Sequence, residues 1–213
     1  HSYWVFKELL KKVLKIENDT HQKIDSKLTN LVNEGIEESD ITFLKYLLLG
    51  DDYAELIKSL EYREKRLGIF HAILVFLIYQ CEQSPIFIIL ENVHNADELS
   101  EDVLLKIIED TTTKTNLTFI FSSRNADKFE KIQPSLLVRY NLANLADSEM
   151  ADLARVMLST KEIPEELIWL LKGKAKGNPL LSIEIVKRLI DSKKLINNLV
   201  KWYLDKNIDN IQL

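Results

Sequence analysis

Three short stretches of this chain hold side chains whose types and order could do chemistry. Residues 86–100 read IFIILENVHNADELS, an apolar run that ends in Glu91 and continues into Asn92. Ligands of open α/β sheets bind at the carboxyl edge of the strands. A carboxylate there can hold a Mg²⁺-bound water, although a solvated loop acid following a strand would read the same. Phe121-Ser122-Ser123-Arg124 puts two hydroxyls and a guanidinium after a second apolar run. Such groups can meet a phosphate or an activated water, or simply form a polar loop. Lys176-Gly177-Asn178-Pro179 joins a glycine turn to a helix-starting proline. That pattern presents an amide-lined helix N-terminus, or serves as a plain helix–helix turn.

Other chemistries find less support. His1, His21, His71 and His94 share no ligand spacing with Cys81 or with one another, so no zinc site is expected. His94 has no nucleophile motif beside it and reads as a loop or packing residue, while Asp97 reads as a helix cap. A single cysteine excludes a disulfide framework and fits a reducing, cytoplasmic compartment. Net charge is -5 with the basic residues dispersed, which argues against a nucleic-acid groove or an anionic membrane surface. The longest apolar run, Ile69 to Tyr79, falls short of the roughly 20 residues of a membrane helix and contains His71. No signal peptide is visible. The chain opens at His1 directly into an apolar helix, so a piece of a longer protein is expected.

The elements that must position these residues follow from periodicity. With 213 residues, 46% of them hydrophobic, the chain can bury one core or a larger and a smaller one. Helical spacing predicts helices over Tyr3 to Ile16, about Thr20 to Asn33, a third N-capped by Asp40, and about Ser59 to Gln80, the last apolar on all sides and therefore buried. The unbroken runs Ile86 to Leu90 and Leu117 to Phe121 read as strands covered on both faces, with a helix from Asp97 or Ser100 between them. A weaker third strand is expected over Val138 to Leu142. Strand, helix, strand with short links implies a parallel crossover. Beyond residue 145 only helices are expected, the first capped by Asp147. The fold class is thus α/β over residues 1–143, followed by an all-helical part over residues 146–213.

In this order and spacing, strand-Glu91-Asn92-x-His94-x-Ala96-Asp97, strand-Ser122-Ser123-Arg124 and Lys176-Gly177-Asn178-Pro179-Leu180 resemble the signalling (STAND) branch of the AAA-type P-loop ATPases. The nearest likeness is to the ATPase modules attached to soluble, bicarbonate-type adenylyl cyclases and related regulators. Ser2-Tyr3-Trp4-Val5-Phe6 resembles that family's PY-x-x-W-R helix, and Leu47-Leu48-Leu49-Gly50, Arg66 to Phe70 and Tyr140 to Leu145 fall where it has similar residues. The likeness covers about residues 1–192.

The resemblance implies a partial parallel-sheet ATPase core followed by a helical lid, with strands 86–90 and 117–121 paired directly. Glu91 would orient Mg²⁺ through water. Asn92 would occupy the catalytic-acid position in a form that cannot accept a proton. Ser122, Ser123 and Arg124 would contact the nucleotide from the sensor region, and Gly177, Asn178 and Pro179 from the lid. No G-x-x-x-x-G-K-[ST] loop occurs in the chain, so ATP and Mg²⁺ are expected only if that loop lies upstream, and not on these residues alone. The implied role is a regulatory ATP-binding module of a larger signalling protein with weak or no hydrolysis. Its partners would be other domains of its own chain and other proteins. The rival is a degenerate ATPase fold kept as an interaction scaffold.

Overall fold

A computed structural model describes residues 2–16, 18–50, 55–111, 116–125 and 129–205. The chain divides into two compact units, His1–Val138 and Arg139–Leu213.

The first unit begins with four helices, α1 (Trp4–Val13), α2 (His21–Asn33), α3 (Glu38–Leu49) and the short α4 (Glu55–Lys58), and continues into the long α5 (Tyr62–Gln83). Phe6 and Leu10 of α1, Ile24, Leu28 and Leu31 of α2, and Ile41, Leu44 and Leu47 of α3 recur every three or four residues and are buried. They meet α5 through Ile69, Ala72, Ile73, Phe76 and Leu77. Apart from this stripe and Cys81 no residue of α5 is buried; Leu74, Val75 and Ile78 are half-covered and His71 is exposed, so the helix is less enclosed than its apolar composition predicts. Asp40 does not cap α3. It sits buried in the first turn, and its carboxylate accepts a 2.8 Å hydrogen bond from Nδ1–H of His71 on α5, tying the two helices together.

Strand β1 (Ile86–Leu90), helix α6 (Glu98–Thr111) and strand β2 (Leu117–Phe121) complete the unit. The strands pair parallel and in register, Ile86 opposite Leu117 through Leu90 opposite Phe121. The direct pairing expected from the sequence is present. Complete covering of the strands is not. Ile88 and Leu117 are buried and Phe119 and Phe121 half-buried, whereas Phe87, Ile89 and Ile120 on the other face are exposed. The third strand is also absent: residues 138–142 have no strand pairing, and Val138, Tyr140 and Leu142 are 76%, 84% and 97% exposed. A strand exists through its ladder bonds, and a run interrupted by Arg139 and Asn141 buries too little apolar surface to fix itself without them.

In the second unit, α7 (Asp147–Leu158), α8 (Glu165–Ala175) and α9 (Pro179–Asp191) enclose a separate core of Met150, Ala154, Leu167, Leu171, Ile185, Val186 and their neighbours. Asp147 is not the cap of α7. The backbone amide of Ala146 instead donates to the Glu149 carboxylate at 2.7 Å, while Asp147 pairs with Lys172 at 2.6 Å. Nor is this unit all helix. Strands β3 (Leu195–Asn197) and β4 (Trp202–Leu204) form an antiparallel hairpin. Its turn is held by Asn side chains: Asn197 Oδ1 accepts from Leu199 N–H, and Asn198 Oδ1 accepts from the amides of Val200 and Lys201. Trp202 Nε1–H donates to the Leu158 carbonyl at 3.2 Å and fixes the hairpin to the end of α7. The Asn-Asn pair before a Trp-Tyr-Leu run is the local signal that a helical reading of this end misses.

Candidate functional site

At the carboxyl ends of β1 and β2 the two polar stretches singled out by the sequence come together. The ladder continues one step beyond the strands: Ser122 N–H donates to the Leu90 carbonyl and Val93 N–H to the Ser122 carbonyl, each at 3.0 Å. Between them the chain turns at Asn92, which adopts a left-handed conformation (φ 54°, ψ 44°) that asparagine tolerates better than most residues. The Asn92 amide donates to Ser122 Oγ at 3.0 Å, so the hydroxyl oxygen shapes the turn. A short 3-10 turn over Val93–Asn95 follows, and His94 Nδ1 accepts from the Arg124 amide at 3.2 Å. Ser123 is occupied locally, donating to the Asn125 carbonyl at 2.5 Å. His94 is therefore a packing residue of the edge, as its sequence context suggested, and is itself bonded to the Ser-Ser-Arg segment.

Glu91 and Arg124 are both exposed. The Glu91 side chain makes no hydrogen bond or ion pair with any described residue. One free carboxylate suits Mg²⁺ only in the way that ion is commonly held, by one or two carboxylates together with substrate phosphates and water. Among the described residues no group of three or more His, Cys, Asp or Glu side chains could hold a metal by itself. This edge can therefore offer a single carboxylate to a hydrated cation and hydrogen-bond donors to an anion.

The loop is anchored behind the edge by Asp97. Its carboxylate accepts from Ser100 N–H (3.0 Å) and Ser100 Oγ–H (2.6 Å), capping α6. It also accepts from the amides of Tyr3 (2.9 Å) and Trp4 (3.0 Å), satisfying the opening donors of α1. Partial burial opposes its ionisation, but these four donors outweigh burial and hold the carboxyl below its usual value. The Asp-x-x-Ser cap is visible in sequence; its grip on α1 is not, because nothing local signals a partner 94 residues away.

Gly177, Asn178 and Pro179 lie in the second unit, at the α8–α9 turn. Lys176 and Gly177 are both left-handed (φ 50° and 82°), Asn178 caps α9 by accepting from Leu181 N–H at 3.1 Å, and Pro179 opens the helix. The turn is filled by its own unit: Leu145 N–H donates to the Gly177 carbonyl at 2.8 Å, and Asn144 Nδ2 to the Lys176 carbonyl at 3.2 Å. A Cβ on Gly177 would stand 2.6 Å from the Leu145 carbonyl oxygen. These contacts account for the residue types here without a ligand.

Compared with family models, with curated proteins and with solved structures, the chain finds no match. Among the described residues no helix is long and apolar enough to cross a membrane.

Proposed function

We propose that the chain is the sensor-and-lid portion of a regulatory, STAND-type ATP-binding module within a larger cytoplasmic signalling protein, one that hydrolyses ATP slowly or not at all. The observation that carries this reading is the β1–α6–β2 crossover, which sets Glu91-Asn92 beside Ser122-Ser123-Arg124 at one sheet edge. Glu91 would orient a metal-bound water, and Ser122 and Arg124 would sense the phosphate end. An amide at position 92 cannot take a proton from the attacking water, so a bound nucleotide would persist, which suits a switch. The loop that grips the phosphates would come from residues outside these 213. Gly177, Asn178 and Pro179 have the lid role only through the family likeness.

The test is made in the parent protein. Mg-ATP should bind in calorimetric titration, and Glu91→Ala should weaken binding only when Mg²⁺ is present. In single-turnover assays Asn92→Glu should raise hydrolysis by about 10²–10⁴-fold, the usual contribution of a general base. Wild-type turnover equal to that of the variant would assign the base elsewhere. A parent protein that binds no Mg-ATP would favour the scaffold reading, which has its own support in the exposed Phe87, Ile89 and Ile120 on the open face of the sheet. Parallel sheets are ordinarily covered on both faces, so that face is where a protein partner would sit.

A further inference from the structure

The first unit holds a cavity of about 380 Å³ where the start of α1, the end of α3 and the start of α5 meet. That size lies within the range of small-molecule sites. Its polar wall is built from Lys7, Lys65 and Arg66 and from Tyr3, Tyr46 and Tyr62, over an apolar floor of Leu47 and Ile69. None of its described lining residues is acidic, in a chain whose net charge is -5. The cations differ in how they are occupied. Arg66 is paired with Asp102 and stands 5.7 Å from the Tyr62 ring. Lys65 reaches only the Lys58 carbonyl, at 3.5 Å, and Lys7 Nζ has no ion pair or hydrogen bond among the described residues. Tyr3 is buried, and that burial, only partly offset by Arg66, raises its phenol to about 12, so the hydroxyl remains a donor at neutral pH.

We infer that this cavity binds a small phosphate monoester carrying a planar ring. Two lysine charges uncompensated by any described carboxylate match a dianion better than a monoanion, since each unpaired cation in a partly dry site favours one negative charge. Lysine supplies those charges as mobile points, while Arg66 lines the same cavity with its charge already held by Asp102. The tyrosine rings and the Leu47–Ile69 floor offer flat apolar surface of the kind that accepts a ring by stacking, and the phenol hydroxyls add donors. The site rests on side chains separate from Glu91, so it requires neither Mg²⁺ nor the sheet edge.

The experiment is calorimetric titration of the 213-residue chain with phenyl phosphate in metal-free buffer, with inorganic phosphate and benzoate as comparators. Phenyl phosphate should saturate one site with a Kd below about 1 mM, in keeping with its few heavy atoms. Inorganic phosphate, lacking the ring, and benzoate, lacking the second charge, should each bind at least about tenfold more weakly. Lys7→Gln with Lys65→Gln should abolish saturable binding while the helical circular dichroism and melting curve remain those of wild type, because neither lysine pairs with a carboxylate among the described residues. Lys65→Arg should retain binding, and Glu91→Ala should leave it unchanged, which separates failure here from failure of the ATP-module reading. Absence of saturation, benzoate binding as tightly as phenyl phosphate, or undiminished affinity in the double lysine variant would each overturn the assignment.

Discussion

The carboxylate of Asp97 receives four hydrogen bonds from three residues and closes the amino ends of α1 and α6 at once. Removing it leaves the amides of Tyr3 and Trp4 unbonded as well as the α6 cap, so Asp97→Ala should cost about 1–3 kcal/mol at neutral pH in denaturant unfolding. The pH dependence has a definite sign. A carboxyl held below its unfolded value of about 3.9 contributes stability that is complete above that value and is lost as the pH falls through the folded one. The gap between wild type and variant should therefore be constant above about pH 5 and narrow below pH 4. Tyr3 acts at the opposite end. Its phenol, raised to about 12, contributes stability that is complete below about pH 10 and is lost as the pH rises through 12. A gap that fails to narrow in acid would mean that Asp97 matters as a neutral spacer and not as an anion. Residues read from local pattern, such as the Asp97 cap and the Pro179 helix start, lie where the sequence puts them. Asp40 and Asp147 show the limit of that reading: each stands one to three residues inside a helix start, and tertiary partners, His71 and Lys172, take the oxygen that a cap would have used.

Between elements, α3 packs tightly on α5 at Gly68. A Cβ there would lie 2.1 to 2.4 Å from three ring atoms of Phe43, so the whole ring tip occupies the space a side chain would need. Gly68→Ala brings a helix-propensity gain of up to about 1 kcal/mol, set against overpacking that usually costs about 1–3 kcal/mol. The net effect in wild type should be destabilising. In a Phe43→Ala background the clash is gone and the same substitution should stabilise by up to about 1 kcal/mol; a destabilisation of equal size in both backgrounds would show that Phe43 is not the cause. Long periodic elements were legible at this scale: α1, α2, α3, α5, α6, β1 and β2 all fall within a few residues of their expected positions. The misses share a physical origin. Residues 138–142 and the β3–β4 hairpin are short runs whose state depends on the presence of a neighbouring strand, and five residues of sequence carry no record of whether that neighbour exists.

At the scale of the whole chain, the two groups of buried residues are confined each to its own unit. Residues 138–144 are exposed and carry no secondary structure. Exposed connecting backbone of this kind is where proteases cut first. Brief trypsin treatment should therefore cleave after Arg139, and the two products should retain helical circular dichroism and melt in separate transitions. Loss of helicity on that single cut would show that the two cores depend on each other for their stability. Hydrophobic period puts the change from α/β to helical texture near residue 143, whereas the two compact units divide between Val138 and Arg139 and the second carries a hairpin. The candidate site was readable only in part: the meeting of Glu91-Asn92 with Ser122-Arg124 follows from a strand–helix–strand pattern, whereas the cavity of Lys7, Lys65 and Tyr3 joins three helices whose packing no linear motif announces.

The bond from Tyr3 to Asp97 also sets a clock. Its two ends are 94 residues apart, and a ribosome adds about 5–20 residues per second. The first helix thus emerges about 5–20 s before the carboxylate that closes its end has been made. During that interval the apolar stripe of Phe6 and Leu10 has no finished core to enter, and α2 and α3 are the neighbours available to shelter it. Nascent chains stalled before residue 97 should accordingly be caught by hydrophobic-binding chaperones, and those stalled well past residue 121 should be released.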